Sequence, residues 1–103
     1  MQYRLLPSAR AELAAVWEYT ASQSGNGEIA DRQLQSFRNC FSLLARNPFI
    51  GRRRDYDLRP GLRSFPVGEF IVIYRLAGKE LLILHVLHGS RNIEELLNPP
   101  SHN

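Results

Sequence analysis

A single cysteine, Cys40, and a single lysine, Lys79, are among the scarcest features of this 103-residue chain. Each scarcity removes a class of explanation. One thiol cannot close an intramolecular disulfide, and a lone cysteine with no metal-ligand spacing around it fits a reducing, cytosolic setting. Cys40 falls among helix-spaced apolar residues and reads as a small core residue rather than a nucleophile. Long hydrophobic runs are missing too. The longest, FIVIY and LLILHVL, are far too short to cross a bilayer and read as buried strands. The opening MQYRLLPSAR is broken by Pro7 and has no apolar core, so no signal peptide is expected and the protein is placed in the cytoplasm. There is no phosphate-cradling glycine loop and no G-x-S-x-G. Asp55 and Asp57 share a loop without a third ligand nearby, so no metal or cofactor is expected. His85 and His88, three apart on a strand, are expected to point to opposite faces.

What the chain does have is arginine. The net charge is only +3, but Arg46, Arg52, Arg53, Arg54, Arg59 and Arg63 crowd one stretch against only Asp55 and Asp57. Arginine grips carboxylates and phosphates in fixed bidentate geometry, where lysine is a mobile point charge. The cluster lies at the mouth of the most hydrophobic segment.

The rest of the pattern reads as one α+β domain over residues 1–98, with 99–103 a flexible tail. MQYRLL is a short strand closed by Pro7. Ser8 is the expected N-cap of a helix carrying Ala9, Leu13, Val16, Trp17 and Thr20 on one face; Trp17 is expected to pack in the core. After the turn at Ser24 to Gly27, Ala30, Leu34, Phe37, Phe41, Leu44 and Ala45 mark a second helix, ended by Asn47-Pro48. So short a link makes the two an antiparallel hairpin. Strands follow at Leu62–Phe65, Phe70–Leu76 and Glu80–Leu87, with a turn at Ala77-Gly78-Lys79. Asn92 and Glu95 form a capping box ahead of a short helix through Ile93, Leu96 and Leu97. The fold is a helical hairpin on a small, mainly antiparallel sheet, with an N-terminal strand and a short C-terminal helix.

Three explanations compete for the arginines. A metal-independent ribonuclease needs a base, an acid and a cation on the scissile phosphate. Glu69, His88 and either Arg63 or Arg91 supply the types, although each also reads as an ordinary strand-end charge or surface ion pair. A nucleic-acid clamp lacks an aromatic platform, Tyr56 being alone beside the cluster. Docking of an acidic protein asks for least: basic side chains around an exposed edge steer the partner and apolar ones anchor it.

The segments DLRPGLRSFPVGEFIVIYR and VLHGSRNIEELL, with PSARAELAAVWEYTA and NPFIGRRR before them, resemble the ParE branch of the RelE/ParE toxin superfamily over nearly the whole chain. The resemblance implies the toxin of a type II toxin–antitoxin pair, neutralised by an acidic ParD-like antitoxin in a higher-order complex. It further implies inhibition of DNA gyrase without catalysis, whereas RelE relatives cut messenger RNA on the ribosome. Against the nuclease pattern, Ile71 stands where those relatives carry a catalytic arginine, and no tyrosine follows His88. The expected reading is therefore a non-enzymatic gyrase inhibitor with Arg52, Arg53, Arg54, Arg59 and Arg63 forming its partner-binding surface. The alternatives are a RelE-type endoribonuclease using Glu69, His88, Arg63 and Arg91, or an inactive toxin kept for antitoxin binding and promoter regulation.

Overall fold

Pro7 opens the first helix rather than only closing the strand before it. In a computed structural model that describes residues 1–97, strand β1 (Gln2–Leu5) passes through an extended Leu6 directly into helix α1 (Pro7–Ser24), with Pro7 in its first turn. Proline fits there because its missing N–H would have no helical partner anyway. Ser8 is therefore not the N-cap: Leu6 holds that position without a side-chain cap. The Ser8 hydroxyl instead donates to the Leu84 carbonyl at 2.6 Å, pinning α1 to the sheet. The tail expected at 99–103, and Asn98 before it, lie outside the described residues.

Helix α2 (Gly27–Arg46) starts at Asn26, whose side chain accepts the Glu28 N–H at 2.9 Å. Its apolar stripe is the predicted one, with Ala30, Phe37, Phe41, Leu44 and Ala45 all buried. Cys40 lies in the same stripe, and burial pushes its thiol up to about 11, so it is protonated and unreactive at neutral pH. Trp17 departs from expectation. It is half-buried at the seam of the hairpin, donating Nε1–H to Asp31 at 2.9 Å, and belongs to neither apolar cluster. An indole carries a donor that a dry core cannot satisfy, and the seam supplies the acceptor.

The sheet contains β2 (Arg52–Arg53), β3 (Arg63–Val67), β4 (Phe70–Ala77) and β5 (Glu80–His88) in addition to β1, in the order β1-β5-β4-β3-β2. Only β1–β5 is parallel; the other neighbours are antiparallel. Strand β2 was not anticipated, since two residues carry no alternation to read. Both faces of the sheet are covered. The helical hairpin buries Val72, Tyr74, Leu81, Ile83 and Val86 against Phe37, Phe41 and Leu44. On the other face Ile73 and Leu87 meet Leu58 and Leu62 of the long loop, and Ile93 and Leu97 of helix α3 (Ile93–Leu97). Double coverage explains the nearly continuous apolar runs of β4 and β5. The Asn92–Glu95 motif does cap α3: Asn92 Oδ1 accepts the Glu95 N–H at 3.1 Å.

A bulge in β5 overturns the expectation for the two histidines. Ile73 pairs with His85 but Tyr74 with Ile83, so Leu84 is the extra residue. The insertion breaks the period of two. His85 consequently reaches the helical layer, its Nδ1 3.1 Å from Glu12 of α1. His88 also lies on that side, edge-on to Phe70, whose ring packs in turn on Phe37. Among the described residues no helix is long and apolar enough to cross a membrane.

Candidate functional site

Consecutive residues of a strand face opposite ways, and this divides the arginine cluster. Arg53 lies directly across from Arg63, and Arg52 across from Ser64. Arg54 donates its backbone N–H to Leu62 O, so the Arg53–Arg63 pair is the non-hydrogen-bonded one, where side chains stand closest. Like charges directly opposite repel, and both members are engaged elsewhere. Arg63 donates to the carbonyls of Phe49 (3.2 Å) and Gly51 (2.9 Å), with its guanidinium 5.3 Å from the centre of the Phe49 ring. Arg53 donates to Asp55 at 2.8 Å.

Arg54 lies on the other face with only 11% of its side chain exposed, bound to Asp57 at 2.7 Å and to Ser64 Oγ at 3.0 Å. Arg59 donates to the Leu97 carbonyl at 3.1 Å, tying the loop to the end of α3. The acids are held as firmly. The Gly61 N–H, then Arg53, keep the Asp55 carboxyl below its ordinary range, and Arg54 does the same for Asp57. Arg54, Arg59 and Arg63 thus act as struts for residues 47–62. Arg52 and Arg53 are exposed beside Phe49, Ile50 and Tyr56, which are exposed too; Arg46 and Arg59 are the other exposed arginines of the cluster.

Glu69 and His88 do come together. Gly68, at φ 58°, begins the tight β3–β4 turn and places Glu69 opposite the end of β5. There Glu69 Oε2 is 3.6 Å from His88 Nε2. His88 Nδ1 accepts the Ser90 N–H at 3.1 Å, so the neutral ring keeps its proton on the Nε2 that faces Glu69. With 83% of its side chain exposed, Glu69 sits in water rather than in a site that concentrates a field. Arg91 lines, with His88, Phe70, Val16 and Tyr19, the groove of about 260 Å³ between α1 and β5. Arg63 is elsewhere: Val67 adjoins the turn, and four residues of strand separate Arg63 from it, about 13 Å. Ile71 packs with the apolar cluster on the sheet's other face. Among the described residues no three His, Cys, Asp or Glu side chains gather closely enough to hold a metal ion.

Two residues that organise this region escaped sequence reading. Tyr74 is fully buried; its hydroxyl donates to Pro48 O and accepts the Gly51 N–H, each at 2.9 Å, and burial raises its pKa. Gly51 is obligatory beneath it, since a methyl group there would stand 2.6 and 2.8 Å from Tyr74 ring carbons. The lone hydroxyl within FIVIY was the available signal, because a buried phenol must find a partner. Glu12 of α1 escaped sequence reading as well. Its carboxylate accepts the Val86 N–H at 3.0 Å and meets His85, clamping α1 to the bulge.

A family model described as the ParE toxin of the type II toxin–antitoxin system parDE matches residues 3–93. Two similar relatives come from Caulobacter vibrioides. Toxin ParE3 is 42% identical over 66 residues, covering 64% of this chain and 65% of that protein, so the match spans just under two thirds of the relative's length. Toxin ParE1 is 36% identical over 92 residues, covering 87% of this chain and 91% of the relative. A solved structure of the chromosomal ParDE toxin–antitoxin system from P. aeruginosa is similar with a TM-score of 0.73 and 25% identity, over 85% of this chain and 95% of that one.

Proposed function

We propose a function from a plain premise: the chain belongs to the ParE toxin family of type II toxin–antitoxin systems. On this reading it is a non-enzymatic inhibitor of DNA gyrase, held inactive by an acidic ParD-like antitoxin in the cytoplasm. The observation that carries the non-enzymatic part is the separation of Arg63 from Glu69 and His88, with an apolar residue at position 71. Arg63 is committed to the carbonyls of Phe49 and Gly51, well away from Glu69 and His88, and Ile71 is packed in apolar surroundings. Phosphate neutralisation and proton transfer act as a unit, so separated parts forfeit most of the rate. Exposed Phe49, Ile50 and Tyr56 beside Arg52 and Arg53 instead offer apolar anchors ringed by charge, the make-up of a protein-docking patch. We assign this patch to the gyrase contact. The test is a supercoiling reaction with purified gyrase, scoring linear DNA after the enzyme is denatured. Accumulating linear DNA is the expected result; unchanged supercoiling by a folded protein overturns the assignment.

The contact between Glu69 and His88 favours a second reading, a ribosome-dependent ribonuclease with Arg91 on the phosphate. It requires message cleavage on ribosomes that disappears in a folded His88→Ala variant.

A further inference from the structure

The sheet face turned away from the helical hairpin changes character along its length. Towards α3 it is closed by Leu58, Leu62, Ile93 and Leu97 over Ile73 and Leu87. Towards the β4–β5 turn the register lines up a different row. Arg4 of β1 and Arg75 of β4 pair with Leu82 of β5 from its two sides. Tyr3, Leu5, Tyr74, Leu76, Leu81 and Ile83 all pack on the helical side, so by alternation Arg4, Arg75 and Leu82 stand on the outer face. Two strand spacings put the two arginine backbones about 10 Å apart. Leu82 belongs to neither apolar cluster, yet it is only 4% exposed. The aliphatic stems of its two flanking arginines are placed to cover it, with their guanidinium groups held out in water.

These charges are available. Arg75 is exposed and makes no hydrogen bond or ion pair among the described residues. Arg4 gives only its Nε–H to Glu80, at 3.2 Å, in a pair whose side chains are 55% and 47% exposed. Such a pair is weakly held, and the two terminal guanidinium nitrogens are left over. Lys79, exposed in the turn, adds a third cation, so the patch stays net positive with Glu80 counted. A protein contact needs apolar anchors. Among the described residues none of the large exposed apolar side chains lies on β1, β4 or β5. Cations without anchors are the make-up of a phosphate-backbone contact, which guanidinium groups suit. With no exposed ring to stack bases, the duplex, with its higher charge density, is favoured over a single strand. We propose that Arg4 and Arg75, with Lys79, bind the phosphate backbone of double-stranded DNA without reading its sequence. This surface is separate from the patch assigned to gyrase and can be tried with DNA alone.

The test is fluorescence anisotropy of a labelled duplex of mixed sequence, titrated with the folded chain from low to moderate salt. Each arginine on a phosphate contributes about 0.9 to the slope of log affinity against log salt. Arg4→Gln and Arg75→Gln keep much of the stem over Leu82 while removing the charge. Each should weaken binding and lower the slope by about 1, and the two together by about 2. Arg38→Gln removes the same charge from the exposed side of α2, in the layer across the sheet, and should leave the slope unchanged. Urea midpoints equal to that of the parent chain show that the losses are not unfolding. Absence of binding at low salt overturns the proposal. So does an equal loss for Arg38→Gln, which makes the attraction a matter of net charge alone. Tighter binding of the corresponding single strand overturns it as well. None of these results bears on the gyrase assignment, which has its own assay.

Discussion

The β2 edge and the β1 edge carry the same kind of charge, yet the charge has different work at each. At β2 the arginines are mostly internal. Arg54 and Arg63 satisfy carboxylates and carbonyls of their own loop, and Tyr74 and Gly51 lock that loop from beneath. At β1 the single arginine, Arg4, makes one exposed ion pair, to Glu80 at 3.2 Å, and braces no loop. Local density of charge therefore does not identify a docking surface; what matters is how much of it is left after the molecule's own needs are met.

Substitutions can break the comparison, beginning with the largest effect. Gly51→Ala forces a methyl into the Tyr74 ring and is expected to destabilise the fold by about 3 kcal/mol. A lower urea midpoint at unchanged slope checks it. Tyr74→Phe strands the Gly51 N–H and the Pro48 carbonyl and should cost about 1–2 kcal/mol on the same measurement. Arg54→Ala, which leaves Asp57 and Ser64 without their guanidinium, should cost a similar amount, about 1–2 kcal/mol. Arg52→Ala, two positions away and exposed, should stay within about 0.5 kcal/mol. Equal costs for Arg52 and Arg54 would erase the division between strut and free arginine.

The smallest effect is on pH. Asp55 and Asp57 have folded-state pKa values below the ordinary 3.8. Their contribution is present above that value and is lost as pH falls through the depressed one, on the acid limb below about pH 4. Asp55→Asn with Asp57→Asn should flatten part of that limb in an acid titration of stability, weakly and less so in high salt.

Much of the fold was legible because its signals are local. The stripe from Ala30 to Ala45 and the turn at Gly78 each declare themselves within a few residues. Ser8 misled because a proline at the first helical position makes a capping side chain dispensable. The histidines misled because one extra residue at Leu84 is invisible to a count by twos. At the candidate site the meeting of Glu69 with His88 followed from the two hairpins, but the fate of the arginines did not. Arg54, Arg59 and Arg63 find partners 3 to 38 residues away, and no spacing rule reports which side chains the fold will consume.

Charge reversal of a free arginine beside the loss of a strut tests the central distinction most directly. Linear DNA formed by purified gyrase and the urea midpoint would both be followed with Arg52→Glu and with Arg54→Ala. Arg52→Glu should cut the linear DNA roughly tenfold at low salt and leave the midpoint nearly unchanged, because a free charge steers a partner without bracing the fold. A midpoint that falls as far as that of Arg54→Ala, with linear DNA undiminished, would contradict the account.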